Sequence, residues 1–167
     1  MRTLALSVLS LVLAVPVLGQ TGMAVNQNGA PITIDSVDTY TDGQRIYFEV
    51  SYRNLRDRSV TAVELGMVSL GPFGKRIGMW QAVDVDTLRS TGGAGWYHER
   101  TWFTRSRFSD RHYIALAYPH RVRFVGGEVW RADMEMVTDS ARKMLERPDL
   151  TLPRDSVESV RQETEQI

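Results

Sequence analysis

Between Arg45 and Asn54 the side chains change character at every step. Ile46, Phe48, Val50 and Tyr52 are apolar, and Tyr47, Glu49, Ser51 and Arg53 alternate with them. A period of two is that of a pleated strand with one face turned inward and the other toward water. The same grammar extends in both directions. Ile32, Ile34 and Val37 mark a first short strand, and Thr41-Asp42-Gly43-Gln44 is a turn whose Asp-Gly pair supplies positive φ angles. Val60 to Leu70 is a second long strand, with Val63, Leu65 and Met67 on one face and Ala62, Glu64, Gly66 and Val68 on the other. Gly71-Pro72-Phe73-Gly74 turns into a strand over Ile77 to Val83. Trp96 to Thr104 and His112 to Tyr118 continue the pattern, and Val122 to Val125 and Glu128 to Arg131 flank a Gly126-Gly127 hairpin turn.

About seven to eight strands joined by turns, with no β-α-β alternation, predict a mainly β, antiparallel β-sandwich over residues 32–137, a barrel being the other closed arrangement. Residues 20–31, rich in Gly, Asn and Gln, read as a flexible lead-in. Residues 138–167 read as a short helix and polar tail: Asp139 is a possible cap for a helix to Arg147. Asp155 with Glu158 resembles a capping box ahead of a weak stripe of Val157, Val160, Thr164 and Ile167.

The first 19 residues have the layout of a secretory leader. Arg2 supplies the charge, Leu4 to Leu18 the apolar run, and Gly19-Gln20-Thr21-Gly22 the small and polar residues that follow. A cut between Gly19 and Gln20 is favoured, and one between Ala24 and Val25 is the alternative. The run has 15 residues and Pro16 falls in its last turn, whereas a spanning helix needs roughly 20 apolar residues, so no stable membrane anchor is expected after cleavage. The expected location is periplasmic or secreted. The chain has no cysteine, which excludes disulfides, a lipidated cysteine and thiol chemistry, and implies a core that holds itself together. Twenty Lys and Arg balance 20 Asp and Glu, which gives no general attraction to nucleic acid.

The run Tyr47-Phe48-Glu49-Val50-Ser51-Tyr52-Arg53-Asn54, a polar loop, and then Val60-Thr61-Ala62-Val63-Glu64-Leu65-Gly66 resemble the B–C strand region of bacterial immunoglobulin-like or fibronectin-III-like exported domains. The resemblance spans residues 32–136 and lacks the cysteine pair and strand-C Trp of antibody-type domains. It implies a sandwich with an adhesive or scaffolding habit, and no activity.

The chemistry-bearing residues fall into three groups. His98, His112 and His120 have no close metal-ligand spacing and read as ordinary histidines. Asp84 and Asp86 could begin a calcium loop, but Thr87-Leu88-Arg89 does not continue one, so they read as a solvated turn. The same two carboxylates are the candidate acid/base pair of the alternative reading, a hydrolase or accessory domain acting on envelope polysaccharide. No nucleophile elbow, zinc motif, phosphate loop or cofactor signature is present. Residues 96–124 interleave eight aromatic residues with six arginines, a combination that can stack on ligands and pair with their anions. The candidate binding residues are Trp96, Arg100, Trp102, Arg105 and Arg107, and the expected partner is an envelope protein or polysaccharide. Both faces of 96–104 mix aromatic and polar residues, so the pattern does not say which face is core.

Overall fold

The computed structural model describes residues 20–86, 97–152, 158–159 and 161–162. The strands are β1 (Gln20–Ala24), β2 (Ile32–Asp42), β3 (Arg45–Asn54), β4 (Val60–Leu70), β5 (Arg76–Asp84), β6 (Tyr97–Arg105), β7 (Ile114–Phe124) and β8 (Val129–Arg131). Helix α1 (Met134–Leu145) follows, and then two very short strands, β9 (Glu158–Ser159) and β10 (Arg161–Gln162).

All the strands belong to one sheet, in the order β10-β6-β3-β2-β1-β7-β4-β5-β9, with β8 alongside β7. β9 pairs with β5 and β10 with β6, so these two short strands draw the two edges of the sheet together into a nearly closed barrel. The architecture is therefore mainly β with a C-terminal helix, as the alternation predicts, but the two facing layers of a sandwich are joined into one sheet. The joining element is β1, which lies within the expected flexible lead-in. It pairs antiparallel with β2 and parallel with β7, bridging β6-β3-β2 to β7-β4-β5. Gly22 allows this close approach, because a Cβ there would run into the Val37 carbonyl.

The barrel interior is filled from every side. Ile46, Phe48, Val50 and Tyr52 of β3 meet Val63, Leu65 and Met67 of β4, Trp80 of β5 and Trp102 of β6. β4 and β7 are buried on their outer face as well. Val68, Leu70, Leu116 and Tyr118 pack there under Val137 and Ala141 of α1 and under Leu150 and Leu152 of the segment after it. The helix starts before the expected Asp139, because Asp133, in extended backbone, caps it by accepting bonds from the Glu135 and Met136 amides. Asp139 instead pairs with Arg142 on the helix surface. The helix expected after Asp155 is not formed at 158–159 or 161–162, where the backbone pairs as strand; Asp155 and the stripe of Val157, Val160, Thr164 and Ile167 lie outside the described residues. Among the described residues no helix is long and apolar enough to cross a membrane.

Candidate functional site

The β3–β6 register sorts the Arg/aromatic segment into two faces. Residues directly opposite in an antiparallel pair share a face. His98, Arg100, Trp102 and Thr104 lie opposite Tyr52, Val50, Phe48 and Ile46, and so turn inward. Tyr97, Glu99, Thr101, Phe103 and Arg105 turn outward. Trp102 is fully buried. Arg100 reaches inward to Asp84, its Nε 3.0 Å from Oδ2. Arg105 and Arg107 are exposed. The five candidate binding residues therefore form no common surface: two are internal, two are external, and Trp96 lies outside the described residues, as does Gly19 of the candidate cleavage site. Gln20 opens β1.

The inward polar residues form two networks, one toward each end of the barrel. At the end where β5 stops and β6 starts, Asp84 is the hub. Its Oδ2 accepts from the Tyr52 hydroxyl and from Arg100, and its Oδ1 accepts the Asp86 amide at 2.9 Å. Arg100 also pairs with Asp86. Burial and the Asp84 hydrogen bond push the Tyr52 phenol far above its ordinary range, so it stays a donor. The two carboxylates offered for calcium or for acid/base chemistry thus share one guanidinium, and Asp84 is only 4% exposed.

At the opposite end, buried His112 sits between Thr39 and Ser69. Thr39 Oγ1 donates to the Tyr47 carbonyl at 2.7 Å, so it accepts from His112 Nε2 at 2.9 Å. Nδ1 is then left to accept from the Ser69 hydroxyl at 2.6 Å. A hydroxyl aimed at an imidazole is the geometry of an activated nucleophile. Ser69 is completely buried, however, and the arrangement locks β2 to β4 through the core. Burial lowers the His112 pKa to about 4.

This network has a pH signature. The unfolded imidazole takes up a proton near pH ~6.5 and the folded one only near 4, so the unfolded chain binds more protons between them. Stability should fall as pH drops through that window, by ~3 kcal/mol from this residue. Urea melts of wild type and His112→Gln across the window isolate the effect. The wild-type advantage should shrink as pH falls, and an advantage constant with pH would contradict a buried neutral histidine. The third histidine is on the outer wall: His120 Nδ1 lies 2.6 Å from Glu64 Oε1, and Arg121 pairs with the other Glu64 oxygen.

The surface at this second end carries a pocket. The β4–β5 turn and the segment between β6 and β7 meet there, joined by a bond from the Tyr113 amide to the Leu70 carbonyl, and the turn is itself closed by one from the Gly71 amide to the Lys75 carbonyl. They enclose a pocket of about 570 Å³. Its apolar lining includes Phe73, Ile77, Phe108 and Tyr113, and Lys75, Arg76, Arg111 and Asp110 carry charge around it. Phe73 is 90% exposed and Tyr113 is 55% exposed. The guanidinium groups of Arg107 and Arg111 stand 5.2 and 5.3 Å from the Phe108 ring centroid.

Among the described residues, Arg53, Arg58, Arg100, Arg121, Arg142 and Arg147 each have a carboxylate partner. Lys75, Arg76, Arg105, Arg107 and Arg111, which have none there, gather at the pocket end, while Arg56, Arg123, Arg131 and Lys143, equally without one, lie elsewhere. The sequence carried a signal for this site in Phe73, a large apolar residue inside a turn that offers it no core. The chain matches no protein-family model and no curated protein.

Proposed function

We propose that the chain is an exported, non-catalytic β-module of the cell envelope or extracellular space that binds an envelope protein or polysaccharide through its pocket end. The observation that carries this reading is the clustering of Lys75, Arg76, Arg105, Arg107 and Arg111 around the exposed rings of Phe73, Phe108 and Tyr113. Exposed apolar surface rimmed by charge is a mark of interaction sites. The likeness of β3 and β4 to immunoglobulin-like exported strands supports an adhesive habit. The leader layout supports export, and the pairing of β1 from Gln20 onward supports cleavage after Gly19, since a cut after Ala24 would strip that strand. The alternative reading, hydrolysis of envelope polysaccharide by Asp84 and Asp86, has less support, because buried Asp84 is already engaged by Tyr52 and Arg100.

Arg105→Ala combined with Arg107→Ala tests the proposal. Both side chains are exposed and without an ion pair among the described residues, so the melting temperature should move by no more than ~2 °C. Retention of the immobilised protein's partner from envelope extract should drop about tenfold. Wild type that retains nothing, or a double variant that retains as much as wild type, would overturn the reading.

A further inference from the structure

We infer that the pocket end recognises an acidic peptide segment with a large apolar side chain beside its carboxylates. This rests on the binding reading above and names its ligand. Two observations set the chemistry. The first is charge: Lys75, Arg76 and Arg111 line the pocket, Arg107 stands over its Phe108 ring, and Asp110 is the one carboxylate among its described lining residues. A guanidinium stacked on a ring keeps its N–H edge available for a carboxylate, so Arg107 and Arg111 on Phe108 are set to hold anions in fixed directions. The second is the apolar lining. Phe73, Ile77 and Phe108 carry no side-chain hydrogen-bonding group, and about 570 Å³ accommodates an aromatic or branched aliphatic side chain.

These features favour peptide over sugar. A sugar ring presents hydroxyls that need paired donors and acceptors when buried, and the lining offers side-chain acceptors only at Asp110 and Tyr113. A peptide places an apolar group and a carboxylate on adjacent residues, matching an apolar floor with a cationic rim. The association should also be fast and sensitive to salt.

The test is fluorescence anisotropy of the leader-free chain with a labelled peptide, Glu-Asp-Phe-Leu-Asp-Glu. Saturable binding is expected, weakening as salt is raised. It should weaken about tenfold in Phe108→Ala and at least as much in Arg107→Glu with Arg111→Glu. A Lys-Lys-Phe-Leu-Lys-Lys peptide and a Glu-Asp-Ser-Ser-Asp-Glu peptide should each bind about tenfold more weakly or worse. Circular dichroism melts confirm that the variants are folded. If the Ser-Ser peptide binds equally, or the variants bind like wild type, the inference fails. Binding of polygalacturonate without binding of the peptide also overturns it, but leaves the binding-module reading standing. Loss of the module reading itself shows separately, as an envelope extract from which wild type retains nothing.

Discussion

A chain beginning at Val25 should fail to fold cooperatively under conditions where a chain beginning at Gln20 is stable. β1 is five residues long, yet it is hydrogen-bonded along both edges. Adjacent strands lie ~4.8 Å apart, so over the stretch that β1 fills its removal leaves β2 and β7 facing each other across ~10 Å, whereas beyond β1 the two strands already approach each other directly. Neither can close that gap without tearing the barrel elsewhere, and each is left with unpaired amides and carbonyls. Met23 and Ala24 would also leave the two cores they pack against. Losing about half a dozen bonds at ~1 kcal/mol each removes on the order of 5 kcal/mol, comparable to the whole stability of a domain. Gly22→Val should act almost as strongly, because the atom in its way belongs to the Val37 backbone. Urea titrations of the two chains measure the effect. Equal midpoints would show that β1 is dispensable and that the sheet is not held together through it.

Trp102→Ala should be the most damaging single truncation in the segment chosen for its aromatic and arginine content. The ring is fully buried opposite Phe48, within the barrel core. Trp-to-Ala changes at such sites cost ~3–5 kcal/mol, through lost burial and the cavity left behind. Trp102→Phe should cost less, because the indole nitrogen has no hydrogen-bond partner among the described residues. Arg105→Ala and Arg107→Ala should each stay within ~0.5 kcal/mol of wild type. Thermal melts of the four variants check this ordering. A near-neutral Trp102→Ala would mean that its ring is on the surface.

The contrast between Trp102 and Arg107 shows what the sequence could and could not convey. β3 was legible because its inward face is purely apolar, and the hairpin at Gly126-Gly127 because both glycines adopt positive φ, as such a turn requires. β6 was not legible. Its inward face sets one apolar residue, Trp102, among polar His98, Arg100 and Thr104, and Arg100 points into the barrel only because Asp84, 16 residues earlier, waits for it. β1 has no alternation of its own and is a strand because two edges need one between them. The same holds for β9 and β10, whose pairing partners β5 and β6 lie far back in the chain, so a weak helical stripe was the stronger local signal. The helix start was misplaced by rival aspartates, and only backbone geometry distinguishes the capping Asp133 from Asp139. The candidate site was half legible: arginines and aromatics were recognised as a binding chemistry, but Phe73, Lys75 and Arg76 join them from a distant turn.

The most direct test of the account is charge reversal at opposite ends of the barrel, read as retention of the envelope ligand. Arg107→Glu with Arg111→Glu alters the pocket end, and Arg123→Glu with Arg131→Glu alters exposed, equally unpaired arginines toward the other end. The expected result is loss of retention in the first pair alone, with both pairs melting like wild type. Equal loss in both pairs, or loss only in the second, would contradict a ligand site at the pocket.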